Sequence, residues 1–143
     1  MSYNVTIRTE FKIKSDKDTL ALAMAQLQNL NASILAINSV YNNDNCDCPY
    51  IKRYIVLGTG IDDPVINTAF EKILNNLDIY FTTRKVLYVA KVNQITFTVA
   101  DFNAIYTALS ENHIHIRTIY GSTYSYIYST SCVNKALNII ASL

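Results

Sequence analysis

The chain has 143 residues, a length that suits one compact domain or two small units, and half of them are hydrophobic. Charged residues make up 16% and the formal net charge is +1, so the clustered basic surface that nucleic acids require is not on offer. No apolar run reaches the length of a membrane span, and the polar start MSYNVTIRTE does not have the pattern of a signal peptide. The expectation is a cytoplasmic protein with no nucleic-acid and no membrane partner.

The first segment, YNVTIRTEFKI, places Val5, Ile7, Thr9, Phe11 and Ile13 on one side of a strand. A helix follows over 15–30, where Leu20, Ala23, Met24 and Leu27 share one face behind Ser15 or Asp16 as the N-cap. SILAINSV reads as a strand, YNNDNCDCPY as a loop, and RYIVLGT as a second strand. The next helix, 64–77, carries Ile66, Ala69, Phe70, Ile73 and Leu77 at helical spacing, with Asp63 as N-cap and Pro64 where a missing N–H costs nothing. DIYFTT and KVLYVAKV are β-like. A helix over 101–112 then presents Phe102, Ile105, Tyr106 and Leu109 behind Asp101. HIHIRTIY and TYSYIYS are strands, and Val133, Ala136, Leu137 and Ile140 form the face of a last helix behind Ser131.

The order repeats. Leu20, Ala23, Met24, Leu27, Asn31, Ile34 and Ile37 map onto Phe102, Ile105, Tyr106, Leu109, His113, Ile116 and Ile119 at a constant offset of 82 (102 less 20). Ala69, Phe70 and Ile73 map onto Ala136, Leu137 and Ile140 at 67 (136 less 69), which places the extra length of the first repeat in a loop at about 42–50. The period implies two β-α-β-β-α-β units in tandem, 1–84 and 85–143, of class α+β with antiparallel sheets and helices on one face of each. Leu77 precedes the last strand of the first unit, and its counterpart at 144 falls beyond Leu143. The second unit therefore lacks its last strand, and the long strand at Tyr3 to Ile13 or a second chain is expected to fill the place.

Chemistry-bearing patterns are sparse. There is no glycine-rich phosphate loop, no G-x-S-x-G and no H-E-x-x-H, so no catalytic residue, no cofactor and no enzymatic activity are expected. Cys46, Cys48 and Cys132 make no disulfide framework, because the first two are too close to bridge comfortably and the third is left over. Cys46 and Cys48 supply two thiolates, short of the four ligands of a closed zinc site, so the expectation is a polar loop with free thiols and no metal. Tyr124, Tyr126 and Tyr128 alternate along one strand, with Tyr120 across a Gly121-Ser122 turn. With both helices covering one sheet face, these tyrosines are expected to mark packing on the other, as the interface of a homodimer.

SDKDTLALAMAQLQNLNASILAI and TVADFNAIYTALSENHIHIRTI each follow the course of an ACT domain, a ferredoxin-like ligand-sensing module. YGST continues the second unit, and DDPVINTAFEKILNNLDIYF and SCVNKALNII resemble the second helix of each. The resemblance covers nearly the whole chain. It implies a non-catalytic regulatory protein binding a small metabolite, an amino acid among them, at the first turn of each unit and the adjacent strand. Carried onto this chain, the ligand-binding residues are Asp16, Asp18, Asn31 and Ser33 in the first unit and Asp101, His113 and His115 in the second. The two histidines, two apart on a strand, read either as an anion-contacting pair or as a solvent-facing edge opposite Ile114 and Ile116. The usual Pro-Gly of the first turn falls at Lys17 and Asp18, and again at Val99 and Ala100. A glycine there lets backbone approach a ligand, whereas Asp18 adds bulk and negative charge. That departure leaves a second expectation standing: an interaction or assembly subunit whose ligand groove has decayed.

Overall fold

A computed structural model describes residues 2–40, 51–58, 62–93 and 95–143. The 41–50 stretch, with Cys46 and Cys48, lies outside the described residues. Among them the elements run β1 (Tyr3–Ser15), α1 (Lys17–Gln28), β2 (Ile34–Val40), β3 (Ile51–Leu57), α2 (Pro64–Asn76), β4 (Tyr80–Lys91), α3 (Val99–Glu111), β5 (Ile116–Gly121), β6 (Ser125–Thr130) and α4 (Val133–Ala141). The chain forms two compact units, one of Thr9–Arg84 and one of Met1–Arg8 with Lys85–Leu143. They are called the first and second unit below.

In the first unit the strand order is β2-β3-β1-β4, the ferredoxin-like arrangement of a β-α-β-β-α-β chain. Antiparallel pairing sets Ile13 opposite Arg53 and Ser15 opposite Ile51, and Ile37 opposite Ile55. The core lies between the sheet and both helices: Phe11, Ile13, Ile55 and Leu57 meet Leu20, Ala23 and Leu27 of α1 and Phe70, Ile73 and Leu74 of α2. Phe11 and Phe70 pack edge to face with ring centroids 4.9 Å apart, the arrangement that aromatic quadrupoles favour. Asp62 ties the unit together by accepting hydrogen bonds from the Thr9 N–H, the Thr9 hydroxyl and the Asn67 amide.

In the second unit the order is β1-β4-β6-β5. Residues 3–8 of β1 occupy the place of the missing last strand, so no second chain is needed to complete it. The long strand anticipated from the sequence does this because Tyr3 is core, with Val5 and Ile7 packed against it, beside Leu87, Val89, Ile105, Leu109, Ala136 and Ile140. The Ser2 N–H donates to the Leu143 carbonyl at 2.9 Å and the Val92 N–H to the Ser2 carbonyl at 3.2 Å. The segments DIYFTT and KVLYVAKV are not two strands but one, β4, and its residues 80–84 and 85–91 fall in different units. Residues 1–8 likewise fall with 85–143 rather than with the rest of β1.

Two helix starts differ from expectation. Helix α3 is capped by Thr98, and Asp101 is its third residue: the Thr98 hydroxyl accepts from the Asp101 N–H while the Asp101 carboxylate accepts from the Thr98 N–H. This reciprocal capping box satisfies two donors that the helix itself cannot. Helix α4 is preceded by Cys132 in the left-handed region (φ 49), with no side-chain cap. Ser131 is turned instead to β5, its hydroxyl accepting from the His115 N–H.

The tyrosine stripe is not an open surface. Tyr128 is fully buried and Tyr126 half-buried, both on the helix-covered side with Leu87, Val89 and Ile140. Tyr126 packs on Phe97 (4.8 Å) and on Tyr128 (6.4 Å). Only Tyr124 is well exposed, at 58%, while Tyr120 is half-buried. Alternation along β6 separates two faces, and it is the Tyr126–Tyr128 face, not the opposite one expected from the sequence, that meets the helices. In the first unit, the face of β1 opposite Phe11 and Ile13 carries a charged group beside the buried Val56. Glu10, fully buried, pairs with Arg84, whose guanidinium stands 5.3 Å from the Tyr54 ring centre.

Candidate functional site

Each unit offers a turn at the N-terminus of its first helix. At α1, Asp16 is the N-cap and accepts from the Thr19 N–H (2.7 Å) and the Thr19 hydroxyl (3.0 Å). The Thr19 N–H, followed by the Thr19 hydroxyl, holds the Asp16 carboxyl below the usual carboxylate range. Asp18 is exposed in the first helical turn, where a negative charge suits the helix dipole. Beside them Ser15 is 4% exposed. Its hydroxyl and one terminal nitrogen of the Arg53 guanidinium are buried without a hydrogen-bond partner. The pairing of Ile13 with Arg53 and Ser15 with Ile51 puts Ser15 and Arg53 diagonally across the same, helix-covered face.

At α3 the equivalent space is filled from within. The Asp101 carboxylate accepts from the Tyr3 hydroxyl (2.8 Å), the Thr98 N–H (2.7 Å) and the Thr98 hydroxyl (2.9 Å), and pairs with the Lys91 ammonium at 2.9 Å. Burial works to raise its pKa, but donors from Thr98, Lys91 and Tyr3 outweigh it and hold the carboxyl well below the usual range. Burial and the bond to Asp101 push the Tyr3 phenol up to about 12. Burial also raises the Tyr128 phenol, with Tyr126, Tyr3 and Asp101 adding smaller repulsions.

The residues assigned to one ligand groove per unit do not gather in one place. Asp16 and Asp18 begin α1, whereas Asn31 and Ser33 follow its end. A helix of 12 residues puts these sets roughly 18 Å apart. Asp101 and the histidines are divided in the same way by α3. Asn31 and His113 have φ values of 53 and 58, the left-handed geometry that ends helices and that Asn and His tolerate better than most residues. They are matched turn residues, 82 apart. The Ser33 carbonyl accepts from the Gly58 N–H at 3.0 Å. His115 does line a surface groove of about 460 Å³, together with Tyr106 and Ser110 of α3 and residues 116–119 of β5. Among the described residues no three His, Cys, Asp or Glu side chains are grouped to hold a metal ion.

Sequence reasoning missed Arg53, Lys91 and Tyr3 because strand register alone brings them to the helix N-termini. Thr98-x-x-Asp101 carried a usable signal, since a Thr followed three residues later by an acid is the mark of a capping box. The groove residues Tyr106 and Ser110, four apart on α3, carried none beyond helical spacing.

No protein-family model and no curated protein matches the sequence. Solved structures do match the fold. A Bacteroides thetaiotaomicron protein superposes with a TM-score of 0.73 at 11% identity, covering 96% of this chain and 89% of its own. The ligand-free regulatory subunit of aspartate kinase from Thermus thermophilus gives 0.62 at 11% identity, with 99% and 96% covered. Escherichia coli aspartokinase III in complex with lysine and aspartate gives 0.59 at 14%, with 99% of this chain but only 32% of the enzyme covered. The chain has the α+β, ACT-type ferredoxin-like fold seen in the aspartate kinase regulatory subunit.

Proposed function

We propose that the chain is a non-catalytic regulatory subunit that binds an amino acid at the α1 N-terminal turn of its first unit. The observation that carries this reading is end-to-end similarity of fold to a regulatory subunit of aspartate kinase, which this chain covers at 96% of that subunit's length. The E. coli enzyme with lysine and aspartate bound supplies the ligand class. The turn suits it chemically: Asp16 and Asp18 present carboxylates to an ammonium group beside the Ser15 hydroxyl. Binding that favours one conformation of the chain over another is what a downstream partner would read. A thermal-shift screen over the standard amino acids tests this. A ligand at a hundred times its Kd adds about 2.7 kcal/mol to the native state, and silence across the screen would remove the reading.

A second reading, an assembly subunit, is favoured by β2, which is the edge strand of the first unit among the described residues. Along β2, Ile34, Ile37 and Val40 are 47%, 50% and 38% exposed, with Leu30 nearby at 43%. An apolar edge strand with unpaired backbone groups invites strand addition, most simply by a second copy of the chain. Light scattering of the wild type and of Ile37→Lys separates the two readings: a dimer that the lysine dissociates supports assembly through this edge, and a monomeric wild type rejects it.

A further inference from the structure

The two units hold the same place in opposite ways, and the difference points to a ligand. The N-caps Asp16 and Thr98 are 82 apart (98 less 16), so Asp101 corresponds to Thr19. Register extends the match. Ile37 and Ile119, 82 apart (119 less 37), pair with Ile55 and Tyr128, which pair in turn with Phe11 and Leu87, and this makes Ser15 the counterpart of Lys91 and Arg53 the counterpart of Tyr126. In the second unit a cation, Lys91, is met by an internal carboxylate on the helix's first turn, at 2.9 Å. In the first unit a cation is also present, on Arg53, but the helix offers Thr19, whose N–H and hydroxyl are both spent on Asp16. No carboxylate of the described residues pairs with Arg53. One Arg53 terminal nitrogen and the Ser15 hydroxyl are buried and unpartnered, and Ser15 as a whole is 4% exposed.

Buried donors of this kind carry a desolvation cost unless something accepts from them. A planar guanidinium with a neighbouring hydroxyl is matched to a carboxylate, which takes two parallel N–H bonds from the one and an O–H bond from the other. We propose that Arg53 and Ser15 bind the carboxylate of a small external ligand, in the role that Asp101 plays internally in the second unit. The chain then has one such site and not two. This deepens the function proposed above: an amino acid would set its carboxylate on Arg53 and Ser15 and its ammonium toward Asp16 and Asp18.

The test uses sodium acetate, with sodium chloride at equal ionic strength as control, and follows the Arg53 Nε–H and Ser15 N–H resonances of the full chain. The expected result is a saturable shift in acetate and none in chloride, weakened at least tenfold by Arg53→Gln. A second variant, Asp16→Thr with Thr19→Asp, rebuilds the internal carboxylate of the other unit and should abolish the acetate response while raising the melting temperature. A flat titration, an equal response to chloride, or a response unchanged by Arg53→Gln would overturn the proposal. Acetate binding alongside silence in the amino-acid screen would sink the amino-acid reading alone. An amino acid that binds Arg53→Gln as well as wild type would sink the anion site alone.

Discussion

Replacing Asp101 by Ala should be the most destabilising single change at either helix N-terminus. The carboxylate, 11% exposed, receives three hydrogen bonds and one ammonium. Without it Lys91, itself only 17% exposed, is left as a nearly buried, unpaired cation. Breaking such a pair costs about 3 kcal/mol, at the low end of the measured range because Lys91 keeps some solvent. The Thr98 N–H also loses its acceptor, worth about 1 kcal/mol. A total near 4 kcal/mol corresponds to a fall of about 12 °C in Tm for a chain of this size, read by circular dichroism at pH 7. Lys91→Met in the same background should recover part of the loss, since it removes the stranded charge. The pH dependence has a definite sign. The folded-state pKa of Asp101 is depressed, so its contribution is complete above the ordinary carboxylate value near 4 and fades as the pH falls toward the depressed one. Wild type and variant should therefore converge in acid. A loss under 1 kcal/mol at pH 7, or a gap that widens in acid, would refute the reasoning.

Three other substitutions follow from the same geometry. Tyr128→Phe should stabilise the protein by about 1 kcal/mol in urea denaturation, because it removes a buried hydroxyl that has no partner. Gly121→Ala should destabilise by about 2 kcal/mol in the same assay: a Cβ there would stand 2.8 Å from the Tyr126 Cα and closer still to the Ser125 carbonyl, at the tight β5–β6 hairpin. Tyr126→Asp with Tyr128→Asp should unfold the second unit, as seen by loss of near-ultraviolet dichroism. Release of folded monomers instead would return these tyrosines to an intermolecular interface.

The helices were legible because burial of one face writes a 3.6-residue period into the sequence. Leu20, Ala23 and Leu27 of α1 and Ile105 and Leu109 of α3 are core residues as the spacing requires. The offset of 82 between repeats survives in the N-caps and in the paired left-handed residues Asn31 and His113. Strand faces were legible only up to a flip. Alternation separates Tyr126 and Tyr128 from Ile127 and Ser129 but does not say which set meets the helices; the aromatic stripe suggests the bare face, whereas Tyr126 and Tyr128 pack against the helix-side core. The candidate site was less readable still. Its acidic turn residues were visible next to a capping position, but Arg53 is 37 residues beyond Asp16 (53 less 16) and reaches Ser15 only through antiparallel register. Asn31 and Asp16, like His113 and Asp101, stand at opposite ends of a helix, a separation that matching of repeats does not reveal.

Isothermal titration of the purified chain with each standard amino acid, lysine and aspartate first, tests the account most directly. The account predicts a saturable heat for at least one of them, with one site per chain and with affinity reduced at least tenfold by Arg53→Gln. No saturable heat with any amino acid would contradict the sensing function itself, and two equal sites per chain would contradict its placement in the first unit alone.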